Sequence, residues 1–287
     1  MSPFLVSIEY CMTLLLSLST MIVLYYIFRF RSLNALWKIS PPLALMFFSI
    51  SLLSVSFTLL SIQWILFTLE VLPNNPKNSF FIVAFGLTFS GVKVFYMATT
   101  MGVFAQRIYF TVWPLKPIKK INKALVYVVI AITVIAVCSY VLANVPTPTL
   151  GSVPEGCYSL NCTQLLAKRS YSTFVMIMLS FVTGTILQCV YFKYRSLEQT
   201  ALTIVINKFV CYSFWMRLVC DTIPFCIDVV LALTIKLSVG NYVGPYGALG
   251  TTIDFFATSF LYYSIVVKRK VAAQTTRANR IFIAKST

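Results

Sequence analysis

Seven apolar runs, separated by short polar connections, divide this 287-residue chain. They cover roughly residues 4–28, 42–67, 80–105, 124–145, 171–192, 209–235 and 246–267. A helix rises 1.5 Å per residue, so about 20 apolar residues cross the ~30 Å hydrocarbon layer of a bilayer. Each run meets that length. The longest connection, residues 146–170, is too short for a soluble domain. The expected architecture is an all-α membrane protein. It is one seven-transmembrane helix bundle over residues 1–287, with a short basic tail at 268–287.

Composition agrees. Hydrophobic residues make up 59% of the chain and charged residues 10%, whereas soluble domains average about 25% charged. The formal charge of +16 would suggest nucleic acid on a soluble protein. Here the positive residues gather between apolar runs, so membrane lipid is the expected partner and nucleic acid is not. The chain has no histidine. That removes imidazole general bases, Ser-His and Cys-His pairs and the commonest zinc ligand, so neither an enzyme nor a metal or other cofactor is expected. The first run starts near Phe4 without a basic n-region and is too long for a signal-peptide core, so it reads as a first span.

The distribution of Lys and Arg sets the orientation. Alternate connections and the tail hold seventeen of the twenty-three, and the opposite set holds four: Lys77, Lys168, Arg169 and Lys236. Lys93 and Arg217 lie inside runs. The N-terminus is therefore expected outside and the C-terminus in the cytoplasm. The external connection at 146–170 carries Asn161-Cys162-Thr163, a glycosylation sequon. Cys157 and Cys162 in the same loop suit a local disulfide, with free or differently paired thiols as the alternative. Cys11, Cys138, Cys189, Cys211, Cys220 and Cys226 fall in apolar runs and read as small core residues.

Ionisable side chains inside a membrane are costly and mark candidate sites. Lys93 lies near the middle of the third run, Arg217, Asp221 and Asp228 lie in the sixth, and Asp254 lies in the seventh. At 3.6 residues per turn, Arg217, Asp221 and Asp228 share one stripe. Lys93, Asp221 and Asp254 are expected in one midplane layer, with Lys93 paired to one of the two carboxylates and Asp228 nearer the outside. This layer is either a polar ligand pocket or an ion-pair cluster that fixes packing. Pro224 cannot donate its backbone hydrogen bond and is expected to kink the sixth span. Arg107 lies fourteen residues after Lys93, on the same helical face, where the third span meets cytoplasmic water.

Several of these residues occur together in nematode serpentine chemoreceptors, and the chain most resembles serpentine receptor class bc. The resemblance rests on Gly156-Cys157 with Cys162 and on Asn207 followed by Asp221 and Pro224. It also rests on Gly244-Pro245-Tyr246, on Gly250, and on Arg107 through Trp113-Pro114. It implies a G-protein-coupled receptor for a small environmental chemical, at the plasma membrane of a sensory cilium, with a heterotrimeric G protein as partner. Gln106 stands where the family usually has an acid before the arginine. Without an acid to restrain Arg107, raised basal signalling is expected.

Two other classes fit less well. A transporter or channel also places charges at midplane, but the chain lacks matching repeats with paired broken helices. An intramembrane aspartyl protease would pair Asp221 with Asp254. Gly250-Thr-Thr-Ile before Asp254 departs from the Gly-x-Gly-Asp of such proteases.

Overall fold

The computed structural model describes residues 3–113, 118–144, 171–194, 201–234 and 246–267. Cys157, Cys162, Asn161, Pro114, Gly244, Pro245 and the basic tail lie outside these residues. The described residues form helices joined by short turns, with no strand among them. The long helices are α1 (Pro3–Phe30), α3 (Pro41–Thr68), α4 (Pro76–Val112), α5 (Ile118–Asn144) and α6 (Tyr171–Lys193), with the short α2 (Leu33–Ile39) between the first two. Then come α7 (Ala201–Arg217), a π-helical turn (Leu218–Thr222) and α8 (Ile223–Thr234) as one rod. Finally α9 (Tyr246–Tyr262) ends in a second π turn (Tyr263–Val267).

Five helices, α1 and α3 to α6, are long and apolar enough to cross a membrane. Their outward faces carry large apolar side chains such as Leu15, Ile22, Tyr127, Ile135, Leu142 and Val182, each half or more exposed. A soluble protein seldom exposes so much contiguous apolar surface, and this is the pattern of a membrane protein. The helices of the α7–α8 and α9 rods fall outside that group because they are shorter: α7 and α9 have 17 residues each and α8 has 12, with π turns at their junctions or ends.

On α1 the buried residues are Val6, Tyr10, Thr13, Ser17, Thr20, Leu24 and Ile27. They alternate steps of four and three and so line one face. The three hydroxyls bond to their own helix, at Glu9, Thr13 and Leu16 carbonyls, each 2.8 Å away. Small satisfied side chains let α1 lie close against α3 and α9. Ser40 joins α2 to α3. Its N–H closes α2 on the Leu36 carbonyl, and its Oγ accepts from the Leu43 N–H to start α3. Pro41 and Pro42 follow at positions where a missing N–H costs nothing. α3 ends in a Schellman turn, with Glu70 N–H on the Phe67 carbonyl and Val71 N–H on the Leu66 carbonyl.

α4 is the central helix and packs against α3, α5 and α6. At 37 residues it is about 55 Å long, so it outruns the hydrocarbon layer. Its start is fixed by Asn75, whose side chain caps the Asn78 N–H at 2.8 Å. The expected span of 80–105 is therefore the middle of a longer helix. Phe57 of α3 seats the core, with ring centroids 4.5 Å from Phe89 of α4 and 5.6 Å from Phe255 of α9.

Two expectations change here. The straight stripe of Arg217, Asp221 and Asp228 is broken, because the π turn begins directly after Arg217 and holds Asp221. A kink is expected at Pro224; what the rod carries ahead of the proline is that π turn, which ends two residues before it. The cysteines also divide. Cys211 is buried and Cys220 and Cys226 are half-buried, but Cys11, Cys138 and Cys189 face outward. In lipid an outward thiol costs little, so an apolar run does not tell core from surface.

Candidate functional site

Three rods, α4, α7–α8 and α9, meet in a polar ladder of two layers. In the first layer Lys93 Nζ of α4 lies 2.8 Å from Asp221 Oδ1 in the π turn and 2.9 Å from Thr251 Oγ1 of α9. Thr251 Oγ1 is 3.0 Å from the same Asp221 oxygen and 2.8 Å from the carbonyl of Gly247, so its proton has two acceptors in reach. In the second layer Asp254 Oδ2 of α9 accepts from Arg217 Nε and Nη2, each at 3.3 Å, and from the Tyr96 hydroxyl at 3.0 Å. The Arg217 guanidinium lies 4.3 Å over the Tyr96 ring, and its Nη1 donates to Ser180 Oγ of α6 at 3.3 Å.

Each layer pairs one cation with one anion, so the four charges cancel. Arg217 and Asp254 are almost wholly buried, at 5% and 2% side-chain exposure. A charge so deep is tolerated only when paired and hydrogen-bonded. The planar guanidinium suits its place, since it donates in several directions while stacking on a ring. Asp254 Oδ1 has no hydrogen-bond partner among the described residues.

α4 and α9 run parallel through the ladder, and the α7–α8 rod runs against them. The order of pairing requires this: Lys93 and Thr251 meet Asp221, whereas Tyr96 and Asp254 meet Arg217. Gly250 lets α9 come close to the π turn. A Cβ added there would sit 2.1 Å from the Cys220 carbonyl oxygen, so a larger residue would push the rods apart. Beyond the second layer, Tyr96, Thr100, Ser213, Arg217 and Thr258 help line a cleft nowhere wide enough for a water molecule. The polar centre is filled by its own side chains.

The sequence left Asp221 and Asp254 both open as partners of Lys93. The structure gives Lys93 to Asp221 and gives Asp254 to Arg217. Asp228, on α8 about two turns past Asp221, is half-buried and belongs to neither ion pair. Tyr96, Thr251 and Ser180 carried no sequence signal, since hydroxyl residues are common in such helices. Arg217 did carry one, as an arginine inside an apolar run, but the stripe drawn for an unbroken helix aligned it with Asp221. Glu9 was also missed. It is a half-buried carboxylate on α1 whose Oε2 is shut away from solvent.

A second polar cluster lies at the Arg107 end of α4. Gln106 is fully buried. Its Oε1 accepts from Ser40 Oγ at 2.5 Å and its Nε2 donates to Asn122 Oδ1 at 2.7 Å. One amide therefore ties α4 to the start of α3 and to α5. Arg107 is buried in the bundle, at only 7% exposure, and α4 continues past it to Val112. The Arg107 Nε has no hydrogen-bond partner among the described residues. Tyr262 of α9 is in its neighbourhood, with a ring held between Phe47 and Phe209 at centroid distances of 4.6 and 5.3 Å.

No family model and no curated protein matches the chain.

Proposed function

We propose that the chain is a seven-span receptor in the plasma membrane, of the kind found among nematode serpentine chemoreceptors. It would convert the binding of a small molecule into activation of a heterotrimeric G protein. Seven spans follow when the two rods divided by π turns, α7–α8 and α9 with its terminal turn, are counted with the five long helices. The Lys and Arg distribution then puts the N-terminus outside and the C-terminus in the cytoplasm.

The observation that carries this reading is the two-layer ladder. It joins α4, α7–α8 and α9 through paired charges, and α4 continues from it to Arg107. A ligand that competes for Lys93, Asp221 or Thr251 has a direct mechanical route to that end. Apolar residues of similar volume often pack as well as a buried ion pair, so four buried charges favour a role beyond packing.

The test is expression with a broad-coupling G protein and a calcium readout against a panel of small volatile and water-soluble chemicals. A chemical-dependent signal that is lost in Asp221→Asn, at equal surface level, supports the reading. A chemical-independent ion current from purified protein in a bilayer would favour a channel instead.

A further inference from the structure

The ladder has a register problem that the π turn solves. Its members on α4, Lys93 and Tyr96, are three residues apart, and so are Thr251 and Asp254 on α9. Three residues of α-helix rise about 4.5 Å. On the opposing rod the members are Arg217 and Asp221, four apart, which in an α-helix would rise about 6 Å. A π turn bonds each N–H to the carbonyl five residues back, here Ile223 to Leu218. It holds more residues per turn, so it is shorter per residue. Arg217 and Asp221 are thereby drawn into step with both neighbours at once, and ion pairs of 2.8 Å and 3.3 Å form in the two layers.

Two further features favour the π form. Pro224 has no N–H to give to the Cys220 carbonyl four residues earlier, so an α-helical continuation lacks one of its bonds. Gly250 of α9 leaves that same carbonyl the room that a Cβ would take. The turn thus has space on the α9 side and lacks a bond that the α alternative needs.

We propose that this π turn is a register switch. In the π form both ion pairs are made. In the α form the rod lengthens and rotates between Arg217 and Asp221, so that only one pair survives. A ligand that takes over Asp221 from Lys93 and Thr251 removes the interaction that holds the turn, and Arg217 leaves Asp254. The switch's role in signalling rests on the receptor reading above; the register claim rests on the ladder alone.

The experiment deletes Val219, which lies in the π turn and is 60% exposed to the outside. The deletion removes the residue that makes the turn a π turn. Unfolding of the full chain in detergent is then measured for two double-mutant cycles, Lys93→Met with Asp221→Asn and Arg217→Met with Asp254→Asn, in the parent and in the deletion. Both cycles should show coupling in the parent. The deletion leaves Arg217 and Asp221 three residues apart in a continuous α-helix, a rise of about 4.5 Å that matches both neighbours without a π turn. Both couplings should therefore persist in the deletion, and loss of the Arg217 coupling overturns the proposal. Should the deletion fail to fold, Pro224→Ala supplies the missing N–H and is measured the same way. It should weaken the Arg217 coupling, and an unchanged coupling overturns the proposal. A parent receptor that gives no chemical-dependent signal defeats the receptor reading, while the cycles still decide the register claim.

Discussion

Lys93 and Asp221 are 128 positions apart in the chain, yet Lys93 Nζ lies 2.8 Å from Asp221 Oδ1 with Thr251 bonded to both. The pair fixes α4 against the α7–α8 rod. Lys93→Met leaves a buried carboxylate with a hydroxyl as its remaining partner in that layer. The expected loss is about 3–5 kcal/mol, seen as reduced thermal stability and reduced surface delivery. Adding Asp221→Asn should recover part of the loss, and adding Asp254→Asn should not. Equal rescue by the two would show that the pairing differs from the one described.

The second layer separates charge from ring. Tyr96→Phe keeps the surface on which Arg217 stacks and removes one donor to Asp254. A hydrogen bond to a charged group contributes about 1.5–3 kcal/mol, and the loss should fall in that range. Arg217→Lys keeps the charge and gives up the planar stack and the fork that serves Asp254 and Ser180 together. It should cost more than Tyr96→Phe, measured as unfolding in detergent. A lysine variant as stable as the parent would mean that charge alone matters there.

Much of the bundle was legible in the sequence because apolar run length maps directly onto helix length in a bilayer. The charged layer was legible too, since an ionisable residue in such a run stands out without knowledge of its neighbours. Its pairing was not. A stripe drawn at 3.6 residues per turn assumes an unbroken helix, and the π turn after Arg217 invalidates it at the place where it matters. Proline at 224 announced an interruption but not its form. The partners of Gln106 were not legible for another reason. Its place beside Arg107 in the sequence hid its neighbours in space, Ser40 and Asn122, which lie on other helices.

Glu70 adopts a positive φ of 59° in the turn that ends α3. That is the left-handed region, which costs a residue with a side chain roughly 1–2 kcal/mol and costs glycine little. Both hydrogen bonds of the turn come from backbone N–H groups at positions 70 and 71, so a glycine keeps them. Glu70→Gly should therefore raise the unfolding temperature, by an amount equivalent to about 1 kcal/mol after the added freedom of the unfolded chain is subtracted. A lowered temperature would show that the Glu70 side chain contributes more than its backbone costs.

Topology is testable without a ligand. The Lys and Arg distribution predicts that a C-terminal epitope is stained only after permeabilisation and that Asn161 carries glycan. Mass spectrometry of the unreduced 146–170 peptide should show Cys157 bonded to Cys162. Staining of the C-terminus on intact cells would reverse the orientation. A freely alkylated cysteine pair would remove the disulfide.

Gln106 and Arg107 are neighbours in sequence that face different partners, since successive helical residues point about 100° apart. The Gln106 amide accepts from Ser40 and donates to Asn122, and so holds α3, α4 and α5 together. On the receptor reading proposed above, this clamp supplies a restraint that the missing acid does not, and we propose low rather than raised basal signalling. Gln106→Ala should raise the basal signal at matched surface level, because it releases two helices from the one that carries Arg107. Weakening one of two states shifts the balance toward the other. Gln106→Glu should not act as a restored acid partner for Arg107. It keeps an acceptor for Ser40 but turns a carboxylate toward Asn122 Oδ1, so Asn122 must flip its amide and a charge is buried among neutral groups. Reduced stability is the expected outcome. Arg107→Ala, which leaves the clamp whole, should abolish ligand-driven output while surface level and ligand binding stay near the parent's. An Arg107→Ala receptor that signals normally at normal surface level would leave Arg107 as a buried packing residue beside Tyr262, and the route from the ladder to the cytoplasm would have to run through α7 instead.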